Sequence, residues 1–392
     1  LSNPSATETL IRQGTNRAAA DFRNFNIGAR ERVQIVQPSA SSALLGRITS
    51  GNITEIHGRL DANGRVMLVN PAGVLVGPTG VINTAAFAAT TLQVDPAKFM
   101  EGGRLELKAV PGADPQAAVV NQGTISVADG GFAALIAPHV VNNGLITARL
   151  GQVQLASGTA ATLDISGDGL LGVVLDPAVA GSITNTGTIR ASHVRLGGGE
   201  ARELVAATVQ LGGVVEARSG AELLGLQPAQ QASIAVASAG QVTLSGSLDA
   251  STTTTGGRIV VQGEHINVTS TANLKATGEA AGGQILIGGS WQNSYPTIRQ
   301  AATTTIERGA VLDASATGTG SGGTVVAWSD ITNPASRTTV SGTLLAKGGD
   351  QGGDGGRIET SGHDLRLDGI NVDASAPLGK TGEWLLDPRN IT

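Results

Sequence analysis

The sequence predicts an all-β fold in which short coils stack into a solenoid, and three observations carry the prediction. Related phrases recur along the chain at intervals of tens of residues, the mark of a repeat architecture. Runs of four to six strand-forming residues alternate with turn residues, and no segment sustains a 3.6-residue apolar period. Glycine supplies 56 of 392 residues, about twice the usual share and without the three-residue period of collagen. Frequent tight turns between short strands account for that glycine. A single coil cannot bury its inner face alone, so coils must stack.

The repeats fall into two families. Asn121-Gln122-Gly123-Thr124-Ile125, Asn142-Asn143-Gly144-Leu145-Ile146 and Asn185-Thr186-Gly187-Thr188-Ile189 share an Asn-x-Gly-x-Ile phrase, with glycines 21 and 43 residues apart. That spacing reads as one unit and then about two. In the C-terminal half a Leu/Val-x-Ala phrase recurs at Leu248, Leu274, Leu312, Leu344 and Val372. Each of the first four is followed by a Gly-Gly pair and an alternating strand, as at Gly256-Gly257 and Gly282-Gly283. A coil of about 21 residues gives roughly 16 to 18 coils in this chain. Ile125, Ile146, Ile189, Leu248, Leu274, Leu312 and Val372 are expected to point inward. The pattern lapses over 199–232, read as a loop, short helix or bend. Asn293-Ser294-Tyr295-Pro296 reads as a loop because proline cannot donate to a central ladder.

Composition narrows the class. With 40% hydrophobic residues but only five Phe, three Trp and one Tyr, the core must be built from small aliphatic side chains. A net charge of −5 leaves no basic footprint for nucleic acid. The absence of cysteine removes disulfides and cysteinyl metal sites and suits a chain exported before it folds. No apolar run is long enough to span a bilayer, and no basic-then-apolar leader opens the chain at Leu1, so a signal peptide, had there been one, is expected to have been removed.

Residues 22–92 carry the most specific signal. They read Phe22-Arg23-Asn24-Phe25-Asn26-Ile27-Gly28, Val36-Gln37-Pro38 and Leu45-Gly46-Arg47-Ile48-Thr49-Ser50-Gly51. They continue from Glu55 through Leu60-Asp61-Ala62-Asn63-Gly64 and Val69-Asn70-Pro71-Ala72-Gly73-Val74 to Ala89-Thr90-Thr91-Leu92. In order, spacing and residue type this resembles the haemagglutination-activity, or two-partner-secretion, domain of filamentous haemagglutinin-type exoproteins. The Asn-Gly repeats and Gly382-Glu383-Trp384-Leu385-Leu386-Asp387-Pro388 resemble segments further along such proteins. The resemblance implies a right-handed parallel β-helix with an N-terminal cap, secretion across the periplasm and outer membrane to the cell surface or medium, and an outer-membrane β-barrel transporter as partner. It assigns 1–200 to the secretion domain, with 22–92 as its core motif, and 201–392 to continuing β-helix repeats. The secretion-motif residues are Asn26, Ile27, Gly28, Asn63, Gly64, Asn70, Pro71, Ala72 and Gly73. Two positions depart from the family: Ala72 stands where Asn is usual in Asn-Pro-Asn-Gly, and Phe22 where a Trp is frequent. Proline followed by Gly73 still favours a tight turn.

Solenoids of this kind also host polysaccharide-cleaving enzymes that cluster carboxylates on one face. The acidic residues here, Asp164, Asp168, Asp249, Asp313, Asp368 and Asp373, are scattered among turns. His57, His139, His193, His265 and His363 lack metal-ligand spacing and read as surface or turn residues. No nucleophile elbow or phosphate loop is present. Gly348–Gly356 is similar to a calcium-binding nonapeptide but lacks its strand residues, so a flexible turn is expected. Trp291, Tyr295, Trp328 and Trp384 are too sparse for a sugar platform. No catalytic residue, metal or cofactor is therefore assigned. The expected function is a secreted exoprotein fragment that directs its own export and forms the stem of an adhesin or extracellular filament. Expected partners are the transporter, a host or cell-surface glycan or protein, and a second copy joined head to tail at a bare C-terminal end, unless the natural chain runs on. The alternatives are a β-helical carbohydrate-active enzyme and the stalk of a toxin-delivery protein.

Overall fold

The computed structural model describes residues 1–165, 169–174, 181–197, 207–218 and 232–391. The chain falls into two compact units, Leu1–Ala191 with Gly197–Ala207, and Ser192–Leu196 with Thr208–Thr392. Most of the expected irregular stretch at 199–232, and Asp168, lie outside the described residues. Within that stretch, Ala207–Leu211 and Val214–Ala217 are strands.

In the first unit three parallel ladders form the sides of a coil. The first ladder stacks Glu8–Arg12, Arg32–Val36, Arg59–Ala62, Val81–Thr84, Thr124–Val127 and the start of Leu145–Ser157. The second stacks Arg17–Phe22, Ala43–Ile48, Arg65–Val69, Ala86–Thr90, Phe132–Ala137 and the end of Leu145–Ser157. The third stacks Thr54–Ile56, Val74–Val76, Ala118–Asn121, His139–Asn142 and Gly181–Asn185. Ser2–Ser5 runs antiparallel to Glu8–Arg12 and forms the N-terminal cap. This is the right-handed parallel β-helix class that the sequence implied.

Side chains alternate across each strand, so every second residue enters the coil. Leu44, Val66, Phe87, Ala133 and Val153 stack in register along the inner side of the second ladder, all nearly or fully buried. Ile125 and Ile146 pair in register in the first ladder, and Leu248, Leu274 and Leu312 do so in the second unit. All five, with Ile189, have no exposed surface. Each contributes about 1.5–3 kcal/mol of transfer free energy. Val372 departs from this expectation. It stacks on Leu344 on one side only and remains partly exposed.

The 43-residue interval is a correction to the repeat reading. Asn142 pairs with Asn185 in adjacent strands, so Gly144 and Gly187 belong to neighbouring coils. The extra length is an excursion outside the coil, not a second coil. Two such excursions, covering 93–117 and 159–174, build a four-stranded antiparallel sheet from Gln93–Val94, Arg104–Lys108, Ala160–Asp164 and Gly169–Val174. A short helix, Pro96–Glu101, starts where the Asp95 side chain accepts from the Ala97 N–H and Pro96 fixes the first turn. Phe99, Leu105, Leu107, Leu163 and Ile165 pack onto the outward side chains Leu45, Met67, Ala88 and Ala134 of the second ladder. From Ala43–Ile48 to Phe132–Ala137 the second ladder of this unit is therefore largely buried on both faces.

The second unit repeats the three-ladder plan. Its first ladder holds six strands among the described residues, from Val214–Ala217 through Ser247–Asp249, Asn273–Lys275, Val311–Asp313 and Thr343–Leu345 to Asn371–Asp373. Successive coils here begin 26 to 38 residues apart. The expected 16 to 18 coils is consequently too many, because a uniform 21-residue coil ignores long turns and excursions. The Gly-Gly pairs mark close approaches between coils: a Cβ on Gly283 would lie 2.1 Å from the Gly257 carbonyl oxygen, and one on Gly323 2.0 Å from that of Gly283. Gly348–Gly356 is a turn stacked on the preceding coil, with the Gly349 N–H donating to the Gly320 carbonyl at 2.9 Å.

Candidate functional site

The motif residues occupy the corners of the first coils. Asn26, Ile27 and Gly28 sit where the third side turns into the first. The Ile27 N–H donates to the Glu55 carbonyl at 2.9 Å, and the His57 N–H donates back to the Ile27 carbonyl at 2.8 Å. The exposed Asn26 side chain accepts from the Glu55 N–H at 3.0 Å. The Gly28 N–H donates to the Glu31 carboxylate at 2.8 Å.

Asn63 and Gly64 form the corner between the first and second sides. Asn63 mimics a strand neighbour: its Oδ1 accepts from the Gln37 N–H and its Nδ2 donates to the Gln37 carbonyl, both at 2.8 Å. The Gln37 side chain is buried and donates to Gln13 Oε1 at 3.0 Å. A Cβ on Gly64 would lie 2.5 Å from Gln37 Oε1 and 2.6 Å from the Ser42 carbonyl. Asn, Gln and Gly thus carry the corner inward through two coils.

Asn70, Pro71, Ala72 and Gly73 make the corner between the second and third sides. The Gly73 N–H donates to the Asn70 carbonyl at 2.9 Å, closing the turn that proline at its second position favours. Asn70 is buried. Its Oδ1 accepts from the Ala72 N–H at 3.0 Å, and its Nδ2 donates to the Asn52 carbonyl and Thr54 Oγ1, each at 2.9 Å. Gly73 takes a φ of +117°, open to glycine and strained for other residues. The three groups lie at three different corners and do not form one patch.

One flank of the Asn63 corner carries charge. Asp61 accepts from Arg32 Nε at 2.8 Å, Arg59 Nε at 2.6 Å and Asn83 Nδ2 at 3.1 Å, and Arg32 also reaches Glu8 at 3.3 Å. Burial pushes the Asp61 carboxyl up, but hydrogen bonds from Arg59, Asn83 and Arg32 outweigh it and hold the group below the usual range. Beside this network is a groove of about 720 Å³, bordered by Gln34, Asp61, Asn63, Asn83 and Ser126. It lies where the tight Asn63-Gly64 and Ala85 corners are flanked by the longer turns at 38–41 and 128–131.

The other residues weighed in the sequence have structural partners. Asp249, Asp313 and Asp373 accept from the N–H groups of Ser251, Ser315 and Ser375 at 2.8 to 2.9 Å, fixing the turn after each strand. Lys275 separates Asp249 from Asp313 in the ladder. His139, His193, His265 and His363 lie within strands rather than turns. The first three each meet a hydroxyl of the next coil, Ser182, Ser233 and Thr303, at 2.8 to 2.9 Å.

The family description TPS secretion domain matches residues 2–244. The chain belongs to that family. The TPS (two-partner secretion) domain is a secretion domain of exported exoproteins and not an enzyme, and domains of this kind work with an outer-membrane transporter. The chain is also similar to the solved HMW1 secretion domain of Haemophilus influenzae, with a TM-score of 0.79 and 27% identity over 98% of this chain and 96% of that one. Two heme/hemopexin-binding proteins of Haemophilus influenzae are 33% identical over 193 residues and 35% identical over 95 residues. These matches cover 47% and 24% of this chain, but only 21% and 10% of the relatives. The chain therefore corresponds to a small part of those proteins.

Proposed function

We propose that this TPS domain is recognised for export through its 22–92 motif and supplies the secreted base of a longer surface stem, adhesive or filamentous. Residues 1–200 form the secretion domain in this reading and 201–392 continue its repeats. The observation that carries it is the use of the motif residues: they fasten all three corners of the first complete coils next to the N-terminal cap. A chain leaving the transporter with its N-terminal side first builds these coils first, and later coils add to a finished template. Contact with the transporter is assigned to the exposed side of the Asn63 corner and its groove, because Asn70 is consumed inside the fold. Binding of a host glycan or protein, and head-to-tail joining of copies, belong to the stem in this reading and not to the motif.

The experiment is secretion of the full chain in cells that hold its outer-membrane transporter. Deleting 22–92 is expected to abolish release into the medium while the chain is still made. Asn63→Ala is expected to lower release more than it lowers stability, and Asn70→Ala to lower both together. Normal release of the deleted chain would remove the assignment.

A further inference from the structure

The longest coil of the second unit carries a segment that the secretion reading does not use. Residues 288–300 leave the second ladder after Gln284–Ile287 and lie over its outer side. Trp291 and Ile298 pack there with Val260, Leu286, Val326 and Trp328. Trp328, 1% exposed, donates from Nε1 to Gln300 Oε1 at 2.9 Å. The Arg258 guanidinium stacks 4.9 Å over the Tyr295 ring and that of Arg357 5.1 Å over Trp291.

The far end of this segment is tied to a carboxylate. Val260, Leu286, Val326, Glu359 and Leu385 form one outward column in register. Glu359 is the charged member of that column and has no exposed surface. Its Oε2 accepts from the Gln292 N–H at 2.8 Å, and its Oε1 accepts from Ser361 Oγ at 2.9 Å. Gln292 takes a φ of +46° to present that N–H, a conformation that non-glycine residues adopt at a cost. A buried carboxylate held by two neutral donors is an expensive anchor.

We propose that residues 288–300 are a strap over the apolar strip of the second unit, with the Glu359 carboxyl as a latch that tightens as the medium turns acid. The charged groups that act on it are Asp387 and Glu383 from the last strand; of the other charged groups around the strap, Arg357 stacks on Trp291, Arg258 on Tyr295, and Arg299 is paired with Glu264. The strand Thr324–Trp328 brings no titratable group. Burial pushes the Glu359 carboxyl above its usual range, and Asp387 and Glu383 add to that. The bonds from Gln292 and Ser361 offset it only in part. A carboxyl with a raised value in the closed state binds its proton more tightly closed than open. Closure is therefore favoured as pH falls towards the ordinary carboxylate range, and the strap opens more readily above the closed-state value.

Native-state hydrogen exchange on the whole chain between pH 4.5 and 7.5, corrected for intrinsic rates, tests this. Protection of the Gln292 amide is expected to rise with acid, by up to about tenfold for each unit separating the closed and open values. The Leu286 amide, inside the ladder, is the control for global opening and is expected to hold level. Glu359→Gln mimics the protonated group and should keep high, pH-independent protection at 290–300. Glu359→Leu restores the aliphatic column and should remove the pH response as well, which covers the case of a poorly folded Gln variant. A wild-type pH response retained in either variant, or a strap that loosens in acid, would overturn the proposal.

Discussion

The Asn-x-Gly-x-Ile phrase makes sense one residue at a time. Asn142 is fully buried, accepts from Asn121 Nδ2 at 2.7 Å, and donates to Asn185 Oδ1 at 2.7 Å, so three asparagines form a ladder along the coil axis. Replacing Asn142 by Ala strands a donor and an acceptor in the interior, and chemical denaturation is expected to register a loss of about 2–4 kcal/mol. Gly144 carries the second constraint, since a Cβ there would lie 2.1 Å from the Gly123 carbonyl oxygen. Gly144→Ala must push two coils apart and should cost roughly 3 kcal/mol or more. The phrase itself was legible in the sequence. Its meaning was only partly so: glycine and isoleucine announce a turn and an inward residue, but that the asparagines bond to one another depends on stacking, which no single phrase contains. Asp61 makes the matching point for charge. Its carboxyl is held below the usual carboxylate range, so its ion network stabilises the fold at pH above that range and the benefit disappears as pH falls through the folded-state value. Asp61→Asn is expected to flatten this acid limb, read as the unfolding midpoint between pH 2 and 5.

At the scale of elements, the coil strands were readable and the excursions were not. Strict alternation marks strands with one side in the coil and one in water, as in Thr124–Val127. Arg65–Val69, Ala86–Thr90 and Phe132–Ala137 instead carry near-continuous apolar runs, because the antiparallel sheet covers their outer side. Those runs were the available signal, and periodicity cannot say what does the covering. The helix Pro96–Glu101 escaped for a different reason: six residues are too few for a 3.6-residue period, although Asp95-Pro96 is a sound helix start. The two layers give separable outcomes. Leu107→Asp buries a charge between excursion and coil and should release the amides of 93–117 to exchange while far-ultraviolet dichroism keeps the β-helix signal. Ile146→Asp places the charge inside the coil and should cost several kcal/mol and abolish that signal, because an unpaired charge is buried among apolar side chains.

For the whole molecule the ends of the ladders are not equivalent, and this gives the secretion reading its direction. At the start, Ser2–Ser5 turns antiparallel onto Glu8–Arg12, which ends parallel addition on that side and shields the first rung. Glu8–Arg12 and Arg17–Phe22 in turn cover the inner residues Val33, Ile35 and Leu44 of the next coil, each at most 9% exposed. Removing residues 2–22 uncovers that row and leaves the parallel strands behind it without partners, an adhesive edge. Removing 371–391 takes away one coil and exposes another much like it, since Leu344 then stands where Val372 stood. Equal lengths of chain thus carry unequal weight if folding proceeds from the capped side. The N-terminal deletion is expected to lose release into the medium and to bind a hydrophobic dye. The C-terminal deletion should be released at close to the full-length level with its remaining dichroism unchanged. Equal losses from the two deletions would mean that the coils fold as one cooperative block, with no preferred starting end.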